Sequence, residues 1–246
     1  MKTQIWAHRG ASGYMPENTL VSFYKAVELG ADGVELDIQL SKDGQIVVIH
    51  DERVDRTTDK KGWVKDFTLK ELKAMNANYK HPEMDKVEIP TMLEVFRLLK
   101  PTNLCINIEL KTSIFDYEGM EEKIIQMVKD EGFEDRVIYS SFNHYSIRKI
   151  QKLDPNAKTA FLYSDSPFDM PEYGRDNHVN ALHPAAYNLR FPNYMEKCKA
   201  YGLDVNVWTV NEEEVALLCL QYGVNTLITN YPDKMRKVAE DYESRV

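Results

Sequence analysis

Along this chain, short runs in which apolar and polar residues alternate are separated by longer stretches in which apolar residues recur every three or four positions. The first pattern has the period of a β-strand, the second that of an amphipathic helix. Strands are predicted at 3–8 (TQIWAH), 33–40 (GVELDIQL), 103–110 (NLCINIEL), 136–141 (RVIYSS), 158–163 (KTAFLY), 179–184 (VNALHP), 203–208 (LDVNVW) and 225–229 (NTLIT). Helix ends are legible between them. NTLVSFYKAVELG closes on Gly30, and TMLE at 91–94 forms a capping box directly after Pro90. EEKIIQMVKDEG, YMEKCKAYG and EEEVALLCLQYG stop at Gly132, Gly202 and Gly223, where C′ glycines belong. A fifth helix falls within PFDMPEYGRDN, with weaker end signals. Eight strands alternating with seven or eight crossover helices predict an α/β fold, a closed TIM (β/α)8 barrel, as a single domain over 1–246.

One stretch breaks the alternation. After the second strand, SKDG (41–44) reads as a hairpin turn, and QIVVIH returns antiparallel. Residues 51–89 that follow are polar and weakly periodic until TLKELKAM, so they are expected to form a small insertion over one mouth of the barrel.

Composition narrows the partners. A chain of 246 residues, 43% hydrophobic, can bury a full core. The net charge of −8, with no basic stripe, argues against nucleic acid. No apolar run approaches the ~20 residues of a membrane span. The first residues carry no apolar signal segment, so a cytoplasmic location is expected. Cys105, Cys198 and Cys219 are widely spaced within apolar segments and read as reduced core thiols.

The second strand poses a conflict. Val34, Leu36 and Ile38 give it a buried face, while Glu35 and Asp37 place two carboxylates side by side on the other. Like charges on an inward face repel and lose hydration, which raises their pKa values and weakens the fold. Glu109 arrives from the third predicted strand with the same geometry, on one face with Asn107 and Lys111 and alternating with Ile106, Ile108 and Leu110. A hard divalent cation, Ca²⁺ or Mg²⁺, resolves the conflict with oxygen ligands, and the lack of cysteine disfavours zinc. The alternative is structural pairing of Glu35 and Asp37 with buried Arg or Lys.

Functional residues of such barrels gather at the C-terminal ends of the strands. His8-Arg9 ends the first, and the hairpin returns His50-Asp51 to the same rim. Two imidazoles beside a metal suit general acid–base work near neutral pH. Arg9 and Lys111 suit an anionic substrate, or balance the three carboxylates. His183 and Trp208, at the sixth and seventh strand ends, are candidates for the pocket wall. His81, His144 and His178 read as solvated.

These residues stand in a recognisable series. HRGASGYMPENT, VELDIQLSKDGQIVVIHD, RTT (56–58), IPTMLEV, NIELK and VWTVN together resemble the glycerophosphodiester phosphodiesterases, in order and over nearly the whole chain. The resemblance implies a TIM barrel with a small insertion and a Ca²⁺ or Mg²⁺ held by Glu35, Asp37 and Glu109. It further implies acid–base roles for His8 and His50, and phosphate contacts from Arg9 and Lys111. The expected reaction is metal-dependent hydrolysis of a small-molecule glycerophosphodiester to glycerol 3-phosphate and an alcohol. A relative acting on lysophospholipids would need an apolar lip, for which Trp63, Phe67 and Met84 are the candidates.

Overall fold

All eight predicted barrel strands form, within a residue or two of their predicted bounds. A computed structural model describes residues 2–78 and 81–245. The strands are β1 (Gln4–His8), β2 (Gly33–Leu40), β3 (Ile46–Val48), β4 (Cys105–Leu110), β5 (Val137–Ser141), β6 (Lys158–Tyr163), β7 (Ala181–Pro184), β8 (Asp204–Val207) and β9 (Thr226–Thr229). The parallel order β1-β9-β8-β7-β6-β5-β4-β2 closes through a β1–β2 pairing, giving an eight-stranded barrel. β3 is the hairpin return. It pairs antiparallel with the second half of β2, Ile38 facing Val48. Because β4 occupies the other edge of β2 over residues 33–38, β3 continues the edge that β1 leaves at Glu35.

Helices cover the outside: α1 (Leu20–Glu28), α3 (Met92–Leu99), α4 (Met120–Glu131), α5 (His144–Leu153), α6 (Met170–Asp176), α7 (Tyr194–Tyr201), α8 (Glu213–Tyr222) and α9 (Pro232–Glu243), with α2 (Leu69–Ala74) in the insertion. The weakly signalled fifth helix is α6, one that starts without a side-chain cap. Thr91 caps α3 and Glu94 returns the bond to Thr91 N–H, as the TMLE box requires. Outward strand residues such as Ile5, Val34, Leu36 and Ile108 are fully buried against this helical layer. Cys198 and Cys219 are buried with them, and all three cysteines are free.

Inside the barrel the side chains change character with height. Trp6, Ile138, Ala160, Ala181 and Ile228 form an apolar floor. Above it come Asn107, Ser140, His183 and Asn206, and at the C-terminal mouth the charged groups. The segment 51–89 carries 3₁₀ turns at Val54–Arg56 and Val64–Asp66, then α2; residues 79–80 lie outside the described residues. It has its own apolar cluster of Val54, Val64, Leu72, Met75, Ala77 and Ile89, set against Val47 and Ile49 of the hairpin return.

Candidate active site at the barrel mouth

The turn after β1 places the first candidates. Arg9 sits in the left-handed region (φ 55°), a conformation that costs a non-glycine residue on the order of 1 kcal/mol or more. Gly10 follows at φ 77°, where a Cβ would lie 2.3 Å from Ser22 Oγ. Only a glycine fits. The turn aims Arg9 N–H at Glu35 Oε2 (2.9 Å), so backbone and side chain of one residue both face the carboxylates.

Glu35, Asp37 and Glu109 converge as their alternation requires. Each offers an oxygen, and these lie within 4.8 Å of one another in buried surroundings. Burial, then Asp37 and Glu109, push the Glu35 carboxyl well above its ordinary range. Burial and Asp37 raise Glu109 too. Burial also opposes charge on Asp37, yet His50, Arg9, Lys111 and the Asn18 amide hold it well below the usual carboxylate range. Protein cations therefore leave part of the cluster uncompensated. Asp37 Oδ1 is buried without a hydrogen-bond partner among the described residues. Three hard oxygen donors, one of their carboxylates with an orphaned acceptor, fit a divalent cation, and no thiol joins them among the described residues.

Two cations flank the cluster. Lys111 Nζ donates to Glu109 Oε1 (2.9 Å) and stands 4.0 Å from Asp37 Oδ1. Arg9 Nη1 donates to Glu17 (2.8 Å), while its Nε, 3.5 Å from Asp37 Oδ2, is a buried donor without an acceptor among the described residues. A guanidinium N–H left without an acceptor beside the carboxylates suits an anionic oxygen.

Both histidines reach this rim with the same tautomer. His8 Nδ1 lies 2.7 Å from Asn230 Oδ1, an acceptor, so Nδ1 carries the proton and Nε2 faces Glu35 at 3.9 Å. Burial, with Arg9 beside it, lowers the His8 pKa to about 4. His50 Nδ1 lies 2.6 Å from Asp51 Oδ1. Burial would raise the Asp51 carboxyl, but hydrogen bonds from His50 and Arg56 hold it far below the ordinary range, so it can only accept. His50 Nε2 then faces Lys111 Nζ at 3.3 Å.

Six supporting residues carry no role in the sequence reading. Asn18 donates to Asp37 Oδ2 (2.8 Å), and Glu17 bridges Arg9 and Arg56. Gln39 donates to the backbone carbonyls of Ile49, His50 and Asp51, which fastens the hairpin return to the mouth. Asp51 bonds His50 and accepts from Arg56, and Asn230 bonds His8. Most lie in the quoted motifs PENT, HD and RTT, so the signal was present without its partners.

Three expectations need correction. His183 is not a pocket wall: it is fully buried inside the barrel, bonded through Nε2 to Asn206 and edge-on to Trp6. Trp208 stays at the rim, half-buried and edge-to-face with Phe142. His144 is not solvated but stacks on Phe161 (4.0 Å), Nε2 bonded to the Leu162 carbonyl. His81 is half-buried and lines, with His8, Arg9, Arg56 and Ala77, an open cleft beside the mouth. His178 is exposed, as expected. Trp63 packs on Phe115 (5.2 Å) and Phe67 on the insertion's cluster, so neither forms a free apolar lip.

Residues 8–234 match the model of the glycerophosphoryl diester phosphodiesterase family. A glycerophosphodiester phosphodiesterase of Caldanaerobacter subterraneus subsp. tengcongensis is 45% identical over 96% of this chain and 97% of its own. A Bacillus altitudinis glycerophosphodiester phosphodiesterase is 40% identical over 97% of this chain and 99% of its own. Among solved structures, an Oleispira antarctica phosphodiesterase in complex with the product sn-glycerol-3-phosphate superposes with a TM-score of 0.86, at 30% identity and 97% coverage of both chains.

Proposed function

The chain belongs to the glycerophosphoryl diester phosphodiesterase family and is a phosphodiester hydrolase; from that premise we propose that His8 and His50 are its proton-transfer pair in cleaving glycerophosphodiesters to glycerol 3-phosphate and an alcohol. One observation carries this reading. Two histidines, each with Nδ1–H held by an acceptor, turn Nε2 toward the same group of three carboxylates and two cations. Glu35, Asp37 and Glu109 would hold one divalent cation, Ca²⁺ or Mg²⁺, which supplies Lewis-acid neutralisation of a phosphoryl oxygen. Arg9 Nε and Lys111 Nζ bind the remaining phosphate oxygens and oppose the charge that develops on them.

The glycerol 2-hydroxyl is the favoured nucleophile, because it is tethered to the phosphate and its effective molarity exceeds that of free water. Its O–P bond forms as the P–O bond to the alcohol breaks. One histidine takes the hydroxyl proton at Nε2, and the other delivers a proton from Nε2 to the departing alkoxide. His8 suits the first role, since its lowered pKa leaves it neutral at pH 7. His50 then takes the second, its ring held through Nδ1 by the Asp51 carboxylate 2.6 Å away. Water then opens the cyclic phosphate with the roles exchanged. The 51–89 segment acts as a small subdomain beside the mouth, supported by Arg56, Ala77 and His81 sharing a cleft with His8 and Arg9.

The test is product analysis with Ca²⁺ or Mg²⁺ on glycerophosphocholine, glycerophosphoethanolamine, glycerophosphoglycerol, a lysolipid and a 2-deoxyglycerol analogue. Glycerol 3-phosphate and free alcohol are expected, with the deoxy analogue inhibiting but not turning over. Release of a phosphorylated head group and free glycerol would overturn the reaction. Turnover of the deoxy analogue at the parent rate would overturn the internal attack.

A further inference from the structure

Arg56 has no place in the chemistry above, yet its guanidinium makes four hydrogen bonds at the mouth. Nε and Nη2 donate to the two oxygens of Asp51 at 2.7 and 3.0 Å, and Nη1 and Nη2 donate to Glu17 at 2.6 and 2.7 Å. The two acceptors lead to different site residues: Asp51 bonds His50, and Glu17 pairs with Arg9. Arg56 itself belongs to the insertion. It ends the 3₁₀ turn Val54–Arg56, whose Val54 is buried in the insertion's apolar cluster. Thr58 Oγ1 donates to the Val54 carbonyl (2.9 Å) and locks that turn. The RTT motif therefore fixes where the guanidinium stands.

We infer that Arg56 is a positioning residue for the reaction, gripping the Asp51 carboxylate in a two-pronged bond so that His50 Nε2 is aimed at the phosphodiester. The inference rests on the reading of His50 as a proton-transfer residue. Its physical content is rotational. The Asp51 side chain is nearly a third exposed, and a carboxylate there is free to turn about its own axis. A planar fork that takes both oxygens removes that freedom, and only then does Oδ1 present a fixed lone pair to His50 Nδ1–H. Among the described residues, the Asp51 carboxylate has no partners besides His50 and Arg56. Glu17 differs, because without Arg56 it still holds Arg9 at 2.8 Å. Loss of Arg56 is thus felt on the His50 side of the mouth and spares the Arg9 side. Lysine cannot replace it, since one ammonium cannot meet two coplanar oxygens and Glu17 together.

The test is a cycle of kcat and KM on glycerophosphocholine at saturating divalent cation, for Arg56→Gln and Arg56→Lys in the wild-type and His50→Ala backgrounds, with the melting temperature of each variant. Displacing a proton-transfer group by a fraction of an ångström to 1 Å lowers rate by about 10–100-fold. Arg56→Gln should therefore lose that much kcat with KM changed less than about threefold, and Arg56→Lys should recover only part of it. In the His50→Ala background both substitutions should change kcat less than about twofold, because the residue they act through is gone. An equal proportional loss in both backgrounds would overturn the inference, as would a rise in KM with kcat intact. Should Arg56→Gln melt below the assay temperature, Arg56→Lys carries the same cycle, and full activity of that variant overturns the inference. If His50→Ala itself turns over normally, the proton-transfer reading falls and this inference with it. If His50→Ala is slow while Arg56→Gln is normal, only the inference falls.

Discussion

The floor and the mouth of this barrel belong to one closed sheet with the same alternation, the floor drawn from β1, β5, β6, β7 and β9 and the charged mouth from β1, β2 and β4, and they do opposite work. At the floor, inward positions hold Trp6, Ile138, Ala160, Ala181 and Ile228, a neutral apolar plug. A few residues further along, inward positions hold Glu35, Asp37, Glu109 and Lys111, with His8 and Arg9 at the end of β1. The floor is stable because its side chains lose water. The mouth has lost water around charges, and retains them only through mutual pairing and a site suited to a cation. Stability and chemistry are thus separated by height within one closed sheet.

That division can be broken experimentally, most forcefully through the histidines. His8→Ala and His50→Ala should each lower turnover by about 10²–10⁴-fold with little change in melting temperature. The double variant should lose less than the product of the two, as expected of groups acting as a unit. A histidine variant with near-normal kcat would move that residue to the structural side of the division.

The converse test is Ile228→Ala at the floor. Removing a fully buried branched side chain costs about 2–5 kcal/mol of stability. Specific activity of the folded fraction, below the lowered melting temperature, should stay within about twofold. A large fall in kcat without loss of stability would show that floor and mouth are coupled.

Metal linkage should show that the mouth stabilises the fold only when its charges are compensated. A cation binding only the folded state at a hundredfold excess over its Kd adds about 2.7 kcal/mol, read as a rise in melting temperature. Glu35→Gln should blunt that rise, whereas Ile228→Ala should leave it intact; an undiminished rise in Glu35→Gln would remove Glu35 from the cation site.

The smallest effect concerns acid. Burial alone would raise the Glu17 carboxyl, but Arg56 and Arg9 overcome it and hold its pKa at about 2. A depressed carboxylate stabilises the fold above its ordinary pKa near 4.5 and loses that contribution as pH falls toward 2. Glu17→Gln should flatten the stability profile across pH 4.5 to 2 by an amount on the order of 1 kcal/mol, since the pair borders an open cleft. An unchanged acid slope would mean that this pairing adds nothing to stability.

Much of this molecule is local and therefore legible in its sequence. Period-2 runs bounded by glycine and proline set the eight strands, since alternation alone decides which side chains can face inward. The SKDG turn and the TMLE capping box are likewise decided within four residues. The same alternation places Glu35, Asp37 and Glu109 on one interior face, because register pairs Asp37 directly with Glu109. What the sequence could not assign is which group answers which charge. His8 meets Asn230 across 222 positions and Arg56 meets Glu17 across 39, contacts that exist only once the barrel has closed and the insertion has folded back. His144 shows the same limit, reading as a solvated helix start until β6 and α6 bring Phe161 and Tyr173 against its ring. Strand faces follow from backbone geometry, residue by residue. Partners follow from closure of the whole sheet, and a local pattern contains no information about closure.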